Sequence, residues 1–275
     1  MTGALFSLAG RTALVTGASS GLGRRFAEVL ARAGASVALA ARRHDRLDRA
    51  VAEIEESIMR SSCEGTPSGV TRASPPGGRV VAVPMDVGDI KSIAAGFAAA
   101  EAALGTVTVL VNNAGIAATG PALETSEAEW DRVMDVNLKG AFFVATEAAR
   151  RMIRAKREGA IVNIASIAGI RVAGGIAPYA AAKAGLDHLT RTLAQEWARF
   201  GIRVNAIAPG YIATDLNREF LASAAGEAIK KRIPMRRFGE ANDLDGALLL
   251  LASEAGRFMT GATVVIDGGH LASSL

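Results

Sequence analysis

The chain has 275 residues, half of them apolar, which suits one large α/β domain and is short for two full domains. Its net charge of +4 comes from 31 basic and 27 acidic residues that alternate along predicted helices, with no basic block interleaved with aromatics, so nucleic-acid binding is not expected. One cysteine, three scattered histidines, no signal peptide and no long apolar run predict a cytoplasmic protein without a disulfide, a metal site or a membrane span.

Seven short apolar segments alternate with helical stretches along the whole chain. They are Thr12–Thr16, Ser36–Ala40, Val80–Val83, Val107–Val111, Ala160–Ile164, Arg203–Ile207 and Thr263–Ile266. Because they are apolar throughout, they indicate strands that are buried on both faces of a parallel sheet. The sequence therefore predicts an α/β Rossmann fold as a single domain over residues 1–275, with a doubly wound, seven-stranded parallel sheet and helices on both faces.

Three features locate helices between these strands. The stretch Leu22–Ala33 ends at a glycine, and Ser126 with Glu129 has the spacing of a capping box that opens a long helix. A later helix carries an apolar stripe at Leu186, Leu189, Leu193 and Trp197. This stripe packs against either the sheet or a second subunit. Residues 61–79 break the pattern, and we interpret them as a surface insertion away from the chemistry, the alternative being a functional loop.

A glycine-rich turn follows the first predicted strand and leads into a helix. Its glycines have a GxxxGxG spacing, which allows a tight turn and a close approach of the backbone to a pyrophosphate at the helix N-terminus. The alternative is a purely structural turn. The predicted phosphate contacts are Gly17, Ser19, Ser20, Gly21, Leu22 and Gly23.

The end of the second strand predicts which nicotinamide dinucleotide binds. An acidic residue there would bind the 2′-hydroxyl of the adenosine ribose, whereas arginine accommodates a 2′-phosphate. The strand is followed by Arg42 and Arg43 instead of an acid, which favours NADP(H) over NAD(H). Two solvated arginines at a helix start are the alternative.

The ends of the third and fourth strands add further candidate contacts. Asp86, next to Val87, either accepts a hydrogen bond from the adenine amino group or caps a helix. Asn113, Ala114 and Gly115 follow the fourth strand, where Asn113 either contacts the cofactor or stabilises a turn.

Tyr179 and Lys183 lie four residues apart, one turn apart on the same face of a predicted helix. A free tyrosine has a pKa of about 10, and a neighbouring ammonium group lowers it, which would make Tyr179 a general acid/base. Ser166 follows the fifth strand at the same sheet edge and is placed to orient a substrate oxygen, or is a turn hydroxyl. Asn137 lies inside a long predicted helix, where it either supports a proton relay through water or marks a local kink.

In these motifs the chain resembles the short-chain dehydrogenase/reductases over essentially its whole length, and most closely the 3-oxoacyl-(acyl-carrier-protein) reductases. The resemblance implies that Tyr179 donates the proton, Ser166 orients the carbonyl, Lys183 binds ribose and poises the tyrosine, and Asn137 supports the relay. It also implies cofactor contacts after the sixth strand, at Pro209, Gly210, Ile212 and Thr214. A homotetramer or dimer acting on a small carbonyl or alcohol substrate is the assembly that the resemblance implies.

Two departures from the carrier-protein reductases stand out. The insertion at 61–79 is unusual for them, and Phe200 stands where a basic residue near the active-site entrance is expected, although Arg157 and Arg199 are candidates for that role. Carrier-protein reduction and a non-catalytic cofactor-binding regulator therefore remain alternatives to a general carbonyl reductase.

Two segments are expected to select the substrate. Residues 167–178 carry Arg171 as their only charge, which hints at an uncharged or partly apolar substrate, simple chain turning being the alternative. Residues 211–237 have the character of a mobile lid.

Overall fold

The protein is described here by a computed structural model that covers residues 2–64, 78–214 and 217–273. Within these residues, seven parallel strands form one sheet in the order β3-β2-β1-β4-β5-β6-β7. The strands are β1 (Thr12–Thr16), β2 (Ser36–Ala41), β3 (Val80–Pro84), β4 (Val109–Asn112), β5 (Gly159–Ile164), β6 (Ile202–Pro209) and β7 (Thr263–Ile266). The predicted α/β fold and its seven parallel strands are confirmed.

Helices cover both faces of this sheet. They are α1 (Thr2–Leu5), α2 (Gly21–Arg32), α3 (His44–Glu64), α4 (Ile90–Leu104), α5 (Glu127–Met134), α6 (Ala141–Arg154), α7 (Ala177–Trp197), α8 (Arg218–Ala222), α9 (Ala224–Arg232) and α10 (Asp245–Ala252). None of the helices in the described ranges combines the length and the apolar character that crossing a bilayer requires.

Two apolar clusters, one on each face of the sheet, form most of the core. On one face, Phe26 and Leu30 of α2 pack with Leu248 of α10. On the other face, Phe97 of α4 and Met152 of α6 pack against strand side chains. The many alanines let helices lie close to the sheet, and every residue of β1 and β5 is buried. This burial on both sides explains why the strands are apolar throughout rather than alternating.

The apolar stripe of α7 packs within the chain. Leu186 and Leu193 are buried, while Leu189 and Trp197 are partly buried against the second cluster. The stripe therefore packs on the sheet face, which is one of the two alternatives that the sequence left open.

Helix starts follow local chemistry. The Ser126 hydroxyl accepts a hydrogen bond from the backbone N–H of Glu129 at 3.2 Å, as the predicted cap requires. The C-terminal end of α2 also follows local chemistry, because Gly34, just beyond it, adopts the φ of 101° that is typical of a glycine that ends a helix. Helix α3 continues to Glu64, so the first four residues of the predicted insertion are helical; residues 65–77 lie outside the described part of the chain.

The strand order fixes where a ligand can bind. The carboxyl ends of all seven strands lie at one edge of the sheet. Strands β2 and β3 lie on one side of β1 and strands β4 to β7 lie on the other, so the strand order reverses between β1 and β4. A crevice opens at such a switch point in doubly wound sheets. The glycine turn, which follows β1, and the residues that follow β4 lie on its two sides.

Candidate active site

A cleft of about 1590 Å³ runs along the carboxyl edge of the sheet. It exceeds the range of about 300–1,000 Å³ that is typical of a pocket for one small molecule, so a large cofactor and a substrate both fit. Every predicted cofactor contact lines it, from the glycine turn to Thr214, and so do Ser166, Tyr179 and Lys183. Asn137 lies behind the wall of the cleft and is fully buried.

The glycine turn has the geometry of a phosphate cradle. Gly17 and Gly21 adopt φ values of 67° and 55°, which favour glycine. A Cβ atom on Gly23 would lie 2.4 Å from the carbonyl oxygen of Gly17, so only glycine fits where α2 meets the turn. Ser20, the N-cap residue, makes no side-chain hydrogen bond to the first turn of α2, which leaves backbone N–H donors of that turn facing the cleft.

A threonine that the sequence reasoning did not select holds this turn against β4. The buried Oγ1 of Thr16 accepts hydrogen bonds from the backbone N–H groups of Asn113 and Ala114, both at 3.0 Å. The side chain of Asn113 donates back to the carbonyl oxygen of Thr16 at 2.9 Å. The Asn113 amide therefore stabilises the turn, which was the alternative to a direct cofactor contact, while its backbone still lines the cleft.

The far end of the cleft carries the two arginines that follow β2. Arg42 and Arg43 are both exposed, and Nη2 of Arg43 lies 3.4 Å from the hydroxyl of Ser19. Asp86 stands opposite after β3, where Oδ1 accepts from the backbone N–H of Gly88 at 2.9 Å. The N-cap of α4 is Asp89, so Asp86 does not cap that helix.

The catalytic candidates converge from three separate elements. Ser166, which follows β5, hydrogen-bonds the half-buried Tyr179 of α7, and its hydroxyl also accepts from the backbone N–H of Ala168 at 3.1 Å. Lys183, one turn along α7, is only 4% exposed and donates to the carbonyl oxygen of Ile164 at 2.7 Å. Its Nζ lies 5.7 Å from the centroid of the Tyr179 ring.

Burial changes the titration of both groups. It raises the pKa of Tyr179, and the hydrogen bond from Ser166 offsets this only in part. Burial also lowers the pKa of Lys183 to about 8. The sequence-based expectation that Lys183 lowers the pKa of Tyr179 is not met in the protein alone, because the ammonium group faces the Ile164 carbonyl and the loss of solvent disfavours the phenolate.

Asn137 lies in a π-helical turn, Asp135–Gly140, that interrupts the predicted long helix. Its Oδ1 accepts from the backbone N–H of Ile116 at 2.8 Å, and its Nδ2 donates to the Ile116 carbonyl at 2.7 Å. The wider turn gives the buried amide room to pair with this loop, so the local kink that the sequence offered as an alternative is present as a π-helical turn. A Cβ atom on Gly115 would lie 3.2 Å from Oδ1 of Asn137 and 3.6 Å from Nζ of Lys183, so one small space adjoins both side chains.

The loop after β6 closes the cleft from above the sheet edge. Pro209, Gly210 and Ile212 line it, and the side chain of Asn217 accepts from the backbone N–H of Thr214 at 2.8 Å. Two residues of the predicted lid at 211–237, Asp215 and Leu216, lie outside the described ranges.

The cleft also contains residues that sequence reasoning did not group. Arg171 follows β5, Arg232 ends α9 and His270 follows β7, and all three line the same end of the cleft. The ring of Tyr211 lies 5.8 Å from that of His270. Arg232 belongs to a short basic run that reads as a solvated helix end, so no local signal identified it.

Arg157 and Arg199 were candidates for a basic entrance, and the structure contradicts this. Arg157 precedes β5 and Arg199 precedes β6, so both lie at the amino edge of the sheet, opposite the cleft. The guanidinium of Arg199 instead lies 4.7 Å from the centroid of the Phe200 ring. In the described part of the chain, no group of acidic, histidine or cysteine side chains forms a metal site.

Comparison with known proteins gives consistent similarities. The family described as "Enoyl-(Acyl carrier protein) reductase" matches residues 64–270. A gluconate 5-dehydrogenase of Gluconobacter oxydans (strain 621H) is 38% identical over 266 residues, which cover 96% of each chain. A 3-oxoacyl-(acyl-carrier-protein) reductase of Staphylococcus epidermidis is 38% identical over 261 residues, covering 94% of this chain and 98% of the relative.

Solved structures agree with these sequence matches. The crystal structure of a gluconate 5-dehydrogenase from Burkholderia cenocepacia J2315, in complex with NADP and tartrate, has a TM-score of 0.86 and 34% identity. The alignment covers 100% of both chains. Similarity at this level over the full length extends to the whole fold.

Proposed function

The chain belongs to the short-chain dehydrogenase/reductase family and is an NAD(P)-dependent oxidoreductase, and on this premise we propose that Tyr179 is its general acid/base in hydride transfer to and from a carbonyl carbon. The observation that carries the proposal is the convergence of Ser166, Tyr179 and Lys183 on one cleft from β5 and α7. A buried ammonium group without a carboxylate partner destabilises a fold, so its place beside a phenol indicates a functional role.

The raised pKa of Tyr179 suits the reducing direction. A phenol that stays protonated near neutral pH donates its proton to the oxygen of a carbonyl substrate as the carbon is reduced. The single hydroxyl proton of Ser166, which Tyr179 accepts in the protein alone, would turn to the same substrate oxygen and orient it. In the oxidising direction Tyr179 removes the proton of the alcohol.

Lys183 and Asn137 support this proton transfer. Of the three ammonium hydrogens of Lys183, one is used by the Ile164 carbonyl, which leaves donors for ribose hydroxyls and for a proton path. Asn137 is a positioning residue, because its amide holds the Ile116 loop in place and borders the small space next to Lys183.

The cleft fits an NADP(H) cofactor. The uncapped start of α2 and the glycine turn suit the pyrophosphate, and Arg42 with Arg43 suits a 2′-phosphate. In the part of the chain that the structure describes, Arg42 forms no ion pair, so its guanidinium is available to a phosphate. When bound, the nicotinamide supplies or accepts the hydride. NADP in the structures of similar proteins also supports this preference.

The substrate that we favour is a polyhydroxy ketone or alcohol of sugar size. Similar proteins are named gluconate 5-dehydrogenase and 2-dehydro-3-deoxy-D-gluconate 5-dehydrogenase, and the cleft of about 1590 Å³ has room for a sugar beside a dinucleotide. Carrier-protein reduction stays an alternative, because one similar protein is named 3-oxoacyl-(acyl-carrier-protein) reductase. Arg157 and Arg199 lie at the opposite edge of the sheet and would not bind the carrier protein at the cleft entrance. The tetramer and the single-domain assignment over residues 1–275 remain predictions.

A substrate panel tests the proposal. Ketones, aldehydes, keto sugars, keto sugar acids and acyl thioesters are offered with NADPH and with NADH, and nicotinamide absorbance is followed. We expect turnover of keto sugars or keto sugar acids with NADPH, and an NADPH KM that rises about tenfold or more in Arg42→Ala, since a charge-assisted bond to phosphate is lost.

The panel also separates the alternatives. Preference for acyl thioesters would favour the carrier-protein reductase, and no turnover of any substrate would favour the regulator. An NADPH KM that is unchanged in Arg42→Ala would contradict the assigned cofactor preference.

A further inference from the structure

The positive charges of the cleft fall into two separate groups. Arg42 and Arg43 follow β2, at the end of the cleft assigned to the adenosine side. Arg171 and Arg232 lie at the other end, among residues that follow β5, β6 and β7. Because β1 and β4 lie between these groups in the sheet, the second group is too far along the edge to serve the same phosphate.

Arg171 is held in a fixed orientation. Its Nη1 donates to the carbonyl oxygen of His270 at 2.6 Å and to the hydroxyl of Ser273 at 3.1 Å. Both partners belong to the segment after β7, so the guanidinium is anchored on one side only. Its Nε and Nη2 have no hydrogen-bond partner among the described residues, and Arg171 lines the cleft.

Arg232 is exposed at the end of α9 and forms no ion pair among the described residues. It lines the same cleft as Arg171 and His270. The pKa of His270 is lowered by burial and by the charge of Arg171, raised by Asp267, and lowered again by the smaller effect of Arg232. The carboxylate of Asp267, which also acts on His270, is used by the backbone: its oxygens accept from the N–H groups of Gly269 at 2.8 Å and Leu271 at 2.6 Å.

Two guanidinium groups without a carboxylate partner attract an anion. Among the described residues that line the cleft, the only carboxylate is Asp86, which lies at the opposite end. Each guanidinium presents a planar fork of donors that matches a carboxylate. Arg171 and Tyr179 both follow β5, and Arg232 follows the neighbouring strand β6, so an anion held by the two arginines would lie on the same side of the cleft as Tyr179.

We propose that Arg171 and Arg232 form a carboxylate-binding subsite that selects acidic polyhydroxy substrates over neutral ones of the same length. The subsite rests on the proposed function, because it would bind the carboxylate of the same substrate whose carbonyl group Tyr179 protonates. Residues 167–178, with Arg171 as their only charge, suggested an uncharged substrate. The fold adds a second cation to this end of the cleft from a segment about sixty residues away, and this favours an anionic substrate. A phosphate ester shares the anionic chemistry, and the test separates the two sources.

The test measures binding without turnover. Enzyme saturated with NADPH is titrated by calorimetry with D-gluconate, with D-glucitol, which has a hydroxymethyl group in place of the carboxylate, and with D-glucitol 6-phosphate. An alcohol cannot accept hydride from the reduced cofactor, so Kd is read with no reaction. We expect wild type to bind gluconate more tightly than either of the other two ligands.

The variants assign that preference to the arginine. In Arg232→Ala we expect Kd for gluconate to rise about ten- to a hundredfold, with less than about a twofold change for glucitol. Arg232→Lys, which keeps the charge and loses the fork, should fall between. Lys231→Ala removes the same charge from the neighbouring residue, which does not line the cleft, and should behave as wild type.

Several outcomes would overturn the inference: equal binding of gluconate and glucitol by wild type, tighter binding of the phosphate ester, or an equal loss of both sugars in Arg232→Ala. The parallel kinetic pair is 5-keto-D-gluconate and L-sorbose, its neutral counterpart. If neither is reduced although gluconate binds through Arg232, the proposed function fails and the subsite stands. If both are reduced equally well, the subsite fails and the proposed function stands.

Discussion

The two ends of the cleft are built from different materials. The cofactor end is made mainly of backbone: a glycine turn, an uncapped helix start and a buried threonine that holds them to β4. The substrate end is made of side chains from distant parts of the chain, including Arg171, Arg232 and His270. A backbone site needs a short local sequence, whereas a side-chain site needs the whole fold.

This difference explains what each end tolerates. The glycines of the cradle have no side chain to exchange, so substitutions of these glycines act through steric clash. The substrate end includes the buried ammonium group of Lys183, and the loss of its hydration destabilises the fold. Function at that end is therefore expected to cost stability, which is not expected at the cradle.

Of the substitutions that compare the two ends, the largest expected effect follows from closing the cradle. In Gly23→Ala the added Cβ would meet the Gly17 carbonyl oxygen at 2.4 Å, about 1 Å inside normal contact, and the turn must shift. A displacement of that size costs about a hundredfold where groups must be precisely placed. We expect Kd for NADPH, measured by fluorescence titration, to rise by about that factor.

The matched control is Gly246→Ala in α10, where an added Cβ meets no atom within 4 Å. It should leave Kd for NADPH unchanged and leave stability equal or slightly higher, because alanine suits a helix better than glycine. Similar effects of the two substitutions on NADPH binding would break the comparison between the two ends.

A smaller effect tests the stability cost at the substrate end. The pKa of Lys183 falls from 10.5 to about 8, which corresponds to about 3 kcal/mol of destabilisation at pH 7. Lys183→Met removes this cost but also the hydrogen bond to Ile164, worth about 1–3 kcal/mol. We expect an inactive variant whose free energy of unfolding at pH 7 is about 1 kcal/mol higher than that of wild type.

The difference in free energy of unfolding between Lys183→Met and wild type should depend on pH. Below pH 8 the lysine is protonated in both states and the cost is complete; between 8 and 10.5 the unfolded chain binds more protons, so wild-type stability rises with pH. The gain from Lys183→Met should therefore shrink and reverse by about pH 10 in denaturant unfolding. A difference that does not change with pH would show that Lys183 is not strained by burial.

The sequence predicted the sheet more closely than the site. Apolar runs located β1 and β7 to the residue, but β4 begins at Val109, two residues later than expected, although the backbone of Thr108 still hydrogen-bonds Thr12 of β1 and Ala160 of β5. The glycine spacing identified the cradle because that signal is local. Asn137 was recognised as unsuited to a helix interior, and the structure gives the reason, a π-helical turn.

Other features depend on burial or on distant contacts, which sequence spacing does not report. The spacing of Tyr179 and Lys183 predicts a lowered pKa for the phenol, but spacing does not report burial. In the structure, burial raises the pKa of Tyr179 instead. Arg232 lies in a basic run whose neighbour Lys230 pairs with Glu227 on the helix surface, and only the fold shows that Arg232 lines the cleft.

The most direct test of the central claim is hydride transfer by Tyr179→Phe. This variant keeps the ring and removes only the hydroxyl that Ser166 contacts, so Kd for NADPH should stay within about twofold of wild type. General acid/base catalysis contributes about 10²–10⁴-fold, and we predict a kcat for reduction of a keto sugar acid that is lower by that factor. A folded, NADPH-binding Tyr179→Phe protein that reduces the substrate at the wild-type rate would contradict the account.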